Sequence, residues 1–235
     1  MILQRMILFV CFFAGCLQGK AAPKKGTDVY VVIYATYKGK TGHAGIAVDK
    51  YKIVYHDVKT ASGIVSKEDT VKTGELLYYD FWPNDDYFNK VRTAKDIPGI
   101  FYKLPEKLFD EITPNSLVSQ GIPHKEGYAC DGLLKMQTSV HTDFTLTHML
   151  DSVITEDKKF NARKFNCSDF VLLALHPLLH KKIAAKEFTP FTFSTTPNKL
   201  YKRLRKLPGI AVLKNADAKA RGSFVGQRVL YKLFQ

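Results

Sequence analysis

The sequence predicts a mixed α+β domain in which a mostly antiparallel sheet packs on one buried helix, and three observations predict it. The first is a run of β-branched and aromatic residues at 28–37 (DVYVVIYATY), followed by two more strand-like stretches. The second is residues 167–179, apolar around most of the circumference, as a helix enclosed by other elements must be. The third is the return of strand-like sequence at 210–213 and 227–234. Strands, a buried helix and further strands make a layered mixed domain. With 46% apolar and 24% charged residues among 235, the chain can build a core and is not a disordered one.

Taken in order, the first residues read as an export signal. Arg5 gives a positive start, and residues 6–15 form an apolar run of signal-peptide length that is too short to cross a bilayer. Gly19, Ala21 and Ala22 suit signal peptidase, which divides the chain into a signal at 1–22 and a single domain at 23–235. Phe13-Ala14-Gly15-Cys16 also resembles a bacterial lipobox, in which Cys16 would carry lipid. Ordinary cleavage and lipidation both stay open. Either places the protein outside the cytosol, in a periplasm or anchored in a bacterial envelope.

Gly39 to Gly42 (GKTG) breaks the first strand, and residues 43–48 and 52–58 read as two strands around Asp49-Lys50-Tyr51, giving a meander. Residues 67–74 read as helical, 78–84 as an aromatic loop containing Trp82, and 87–94 as a short helix. A strand at 100–104, a short helix at 105–112 opening on proline, a loop at 116–131 and a helix at 145–154 follow. Residues 60–150 as a whole have the character of an insertion of unassigned role. Asn166 is placed to cap the buried helix, with Asp169 in its first turn and Pro177 weakening its end. A last helix runs from Thr196 or Pro197 to Leu207 and stops at Pro208-Gly209.

The formal charge is +13; removing residues 1–22, which hold Arg5 and Lys20 and no acid, leaves +11. This excess is either a solvated basic face or an attraction to an anionic membrane surface or acidic polymer. No zinc-finger, helix-turn-helix or RNA-binding signature accompanies it, and export disfavours nucleic acid. Beyond the signal only Cys130 and Cys167 remain, able to form one disulfide or to stay free. His124, His141 and His148 lie near Cys130 in sequence without zinc spacing, and Pro177 separates His176 from His180, so no metal site and no cofactor is expected.

Cys167 stands at the start of the buried helix, where unpaired N–H groups and the helix dipole favour a thiolate and can hold an oxyanion. An imidazole beside it would serve as acid and base. With Asp49-Lys50 as a two-residue loop, His43 stands opposite His56; any even loop keeps both on one sheet face, and an odd one separates them. Gly42-His43-Ala44-Gly45-Ile46 and Asn166-Cys167-Ser168-Asp169-Phe170-Val171 resemble the two signatures of the permuted NlpC/P60 papain-like proteins, the group that includes lecithin:retinol acyltransferase. Gly26-Thr27-Asp28-Val29 and residues 194–200 add looser matches, so the resemblance runs from about residue 26 to 207 with the middle unaligned.

That resemblance implies a papain-like, circularly permuted fold with Cys167 as nucleophile, His43 as base and His56 as its orienting partner; Asp57 competes for the last role but points to the other face. It implies cleavage of an amide or ester, in cell-wall peptide or lipid, through an acyl-thioester. Ser168-Asp169 departs from the acyltransferase pattern, and the 43-to-56 spacing is one residue longer. Acyl transfer and a non-catalytic envelope-binding module are the alternatives.

Overall fold

The computed structural model describes residues 27–93, 95–106, 111–122, 128–179, 181–189 and 192–235. The signal expected at 1–22 with Cys16, His124, His180 and half of the helix expected at 105–112 lie outside the described residues.

The core is a seven-stranded sheet in the order β6-β4-β3-β2-β1-β5-β9, every neighbouring pair antiparallel. Its strands are β1 (Thr27–Tyr34), β2 (His43–Thr60), β3 (Gly63–Pro83), β4 (Ile97–Leu104), β5 (Gly132–Thr138), β6 (Lys159–Phe160) and β9 (Ile210–Lys214). A separate hairpin pairs β7 (Lys186–Thr189) with β8 (Thr192–Thr195). Alternation along the strands divides the apolar side chains between two cores. Val29, Val31, Ile33, Ala44, Ile46, Val48, Tyr79 and Phe81 meet the helices α2 (Val140–Ile154), α3 (Cys167–Leu179) and α4 (Pro197–Leu204). Tyr30, Val32, Ala47, Leu76 and Tyr78 point the other way, onto Ile112, Ile122, Cys130 and Leu117 of α1 (Pro114–Ser119). The expected α+β class with a mostly antiparallel sheet packed on the cysteine-bearing helix is what forms.

β1, β4, α3, α4 and β9 lie where the sequence puts them, and the 87–94 stretch is a 3-10 helix, Asp85–Thr93. Other expectations are corrected. Residues 43–58 are not two strands joined by a turn but one strand, β2, whose partner is β3 throughout. The register slips between Asp49 and Tyr51, where β3 accommodates extra residues with Gly74 at φ 90°, a conformation open to glycine. Residues 67–74 are therefore strand and not helix, and residues 78–83 are strand and not loop. Beyond the slip, Tyr51 to Thr60 pairs with Gly63 to Lys72 as a two-stranded ribbon with mostly exposed side chains. The segment at 60–150 thus supplies β3, β4 and β5 to the central sheet.

The tail is the other correction. Instead of a strand at 227–234, a π-helical stretch, Val225–Leu230, runs into α6 (Tyr231–Leu233) and is tied back by the Gly39 N–H donating to the Gln227 carbonyl at 2.9 Å. A short helix, α5 (Asp217–Ala220), precedes it.

Candidate active site

Asn166 sets the geometry around Cys167. Its Oδ1 accepts from the N–H groups of Ser168 (2.8 Å) and Asp169 (3.3 Å), while Asp169 Oδ2 accepts from the Asn166 N–H at 3.1 Å. Asn166 caps the helix as the sequence suggested, and the returning bond from Asp169 makes the cap reciprocal. Asn166 Nδ2 donates to the carbonyls of Ala162 and Thr195, each at 3.1 Å, and pins the mouth of α3 to β8. The cap engages the N–H groups of 166, 168 and 169. The N–H of Cys167 stands outside it, at the first helical position, beside its own sulfur. Phe170, Val171, Ala174 and Leu175, all fully buried or nearly so, anchor the rest of α3.

His43 opens β2 and is 5% exposed. Its Nε2 contacts Asp80 Oδ2 at 2.9 Å, and its ring stacks on Trp82 at 3.9 Å between centroids. Asp80, fully buried on β3, also accepts from Tyr78 Oη at 3.0 Å and Trp82 Nε1 at 2.8 Å. Strand alternation explains the set: Tyr78, Asp80 and Trp82 share one face of β3, with Gly45 of β2 opposite Asp80. Gly45 is required because a Cβ there would come within 2.2 Å of Tyr78 Oη. Burial, then the Asp80 charge, push the Tyr78 phenol up, so it stays a donor.

Cys167 and His43 line the same cleft, and the Cys167 charge acts on the His43 ring. Burial alone would push His43 down. The Cys167 charge and the bonds to Asp80 and Cys167 outweigh it, and the imidazole is raised to about 9. Since Asp80 holds Nε2, the nitrogen turned to the thiol is Nδ1. Cys167 lies on the walls of two adjoining clefts of ≈ 300 and ≈ 330 Å³, which share Thr41, Gly42, Val91, Phe160 and Arg228, and His43 lines the second. Thiol and imidazole share the wall of a mostly apolar cleft, and the Asp80 carboxylate bonds the imidazole.

Of the three residues expected at the site, Cys167 and His43 come together and His56 does not. His56 sits exposed in the ribbon, opposite Lys67, thirteen positions along the same strand from His43, or about 40 Å at strand rise. The physical reason is the missing turn: β2 slips register at 49–51 instead of reversing, so the two histidines never face each other. Asp57 shares the ribbon, opposite Ser66. Asp80 stands beside His43 where His56 was expected. Its signal in the sequence was a lone carboxylate in the apolar run Leu76-Leu77-Tyr78-Tyr79-Asp80-Phe81-Trp82, where burial demands a partner.

Cys130 and Cys167 are both free, so the disulfide left open by the sequence does not form. Cys130 belongs to the core beneath the sheet, and burial pushes its thiol up to about 11. His141, His148 and His176 are exposed, and the described residues contain no group of three or more ligating side chains suited to a metal. No protein-family model matches the chain, and no curated protein or solved structure matches it.

Proposed function

We propose that this protein is an exported cysteine hydrolase that cleaves an amide or ester bond through an acyl-thioester, with Cys167 as nucleophile, His43 as acid and base, and Asp80 as the residue that positions His43. The observation that carries the reading is the buried Asp80–His43 pair set against a thiol at the capped mouth of α3. The order of histidine before cysteine, and the two motifs around them, agree with a permuted papain-like NlpC/P60 relationship, and envelope peptide or lipid is the substrate class consistent with export.

The chemistry follows from the geometry. His43 Nδ1 already holds the proton of the thiol near neutral pH, and the sulfur attacks the substrate carbonyl. The oxyanion meets the Cys167 N–H and the positive end of α3. His43 then protonates the departing amine or alcohol, leaving a thioester. Water, deprotonated by His43, hydrolyses that thioester; an acceptor amine or alcohol in its place makes the reaction acyl transfer. Asp80 fixes the ring and stabilises its positive charge throughout.

Iodoacetamide labelling near neutral pH tests the reading. Selective modification of Cys167 over Cys130 is expected, slowed about a hundredfold or more by His43→Ala. Asp80→Asn should slow it about ten- to a hundredfold, the worth of one charge-assisted hydrogen bond. His56→Ala should leave it unchanged. A sluggish Cys167 indifferent to His43→Ala would instead mark a non-catalytic binding module.

A further inference from the structure

Both clefts at Cys167 are walled on one side by the C-terminal helical segment. Phe224, Arg228 and Lys232, with Val229 and Leu233, recur at helical spacing, so one face of the segment is turned to the cleft. Among the described residues, Arg228 is the one Lys or Arg that lines both clefts, and its guanidinium lies over the Phe224 ring at 5.7 Å. Lys232 adds a second cation to the first cleft. Among the described residues, neither lining contains an Asp or Glu. Asp169 and Glu187 accept hydrogen bonds from the hydroxyls of Thr195 and Thr196 and are not part of the wall.

A second observation is independent of charge. Ser194, 3% exposed and on the wall of the same cleft, has a buried hydroxyl with no hydrogen-bond partner among the described residues. A buried hydroxyl left unmatched costs about 1–3 kcal/mol, which a ligand acceptor in the cleft would offset. Two cations and an unmatched hydroxyl, with no carboxylate among the described lining residues, make a wall that suits an anion inside an otherwise apolar space.

We infer that Arg228, Lys232 and Ser194 bind a negatively charged group of the substrate, a carboxylate or a phosphate, close to the scissile carbonyl. The inference rests on the thiol-hydrolase reading and narrows it: neutral amides and esters of the same size are poor substrates, and specificity resides in the C-terminal helical segment.

Two alkylating agents of matched size test it, iodoacetate with its carboxylate and neutral iodoacetamide. Their rate ratio at Cys167 should favour iodoacetate at least tenfold over the ratio for a small free thiol in the same buffer. Arg228→Gln with Lys232→Gln should remove most of that preference, and Lys59→Gln, on the exposed ribbon, should keep it. Glutarate that protects Cys167 from iodoacetamide where inorganic phosphate does not assigns a carboxylate; the converse assigns a phosphate. A wild-type ratio equal to that of the free thiol, or one unmoved by the double substitution, overturns the anion inference while rapid iodoacetamide labelling leaves the nucleophile standing. Slow labelling by both reagents defeats the nucleophile and the anion wall together.

Discussion

The proton on His43 links three groups, the Cys167 sulfur, the Asp80 carboxylate and the Trp82 ring that covers it. Folding raises this imidazole from its ordinary 6.5 to about 9, so the native state binds the proton more tightly than the unfolded chain. The resulting stabilisation is fully present below about 6.5 and is lost as the pH rises through about 9. Urea midpoints measured between pH 6 and 10 should fall across that window, and His43→Asn should flatten the fall. Cys167 and His43 were legible because each has a strong local signature, a helix mouth and a strand start after glycine. Asp80 was not, because its role depends on Gly45 lying across from it, a pairing between residues thirty-five positions apart that no local pattern encodes.

At the scale of elements, β2 and β3 hold the site by their register. Tyr78 reaches Asp80 only because Gly45 offers no side chain. Gly45→Ala should destabilise the fold by about 1–3 kcal/mol through overpacking, seen as a lower urea midpoint, and slow Cys167 labelling by displacing the Tyr78–Asp80 contact. α3 and α4 were readable because caps and periodicity agreed, with Thr196 capping α4 and Pro197 opening it. β3 was not, for two opposite reasons. Its outer half is exposed on both faces in the ribbon and lacks a continuous apolar stripe, while its inner half is buried on both faces and loses alternation. The tail misled because its apolar and aromatic residues, Val229, Leu230, Tyr231, Leu233 and Phe234, suit a strand as well as a helix. The spacing of Phe224, Arg228, Val229, Lys232 and Leu233 was the better guide, since it is the helical face that meets the cleft.

Across the whole molecule the charge of +13 is unevenly used: part of it enters the cleft wall through Arg228 and Lys232, while most is on the outside. No helix among the described residues is long and apolar enough to cross a membrane. The ribbon is the feature that departs most from the body, running about 30 Å past the register slip. It is paired only with itself there, whereas β2 up to Asp49 and β3 from Leu76 sit inside the sheet. Trypsin should therefore clip first at exposed Lys59 or Lys67. The nicked chain should separate into two fragments in denaturant yet elute as one species under native conditions with Cys167 still reactive. The two pieces would then be a natural pair for reassembly by fragment complementation, each carrying one half of the thiol–imidazole couple.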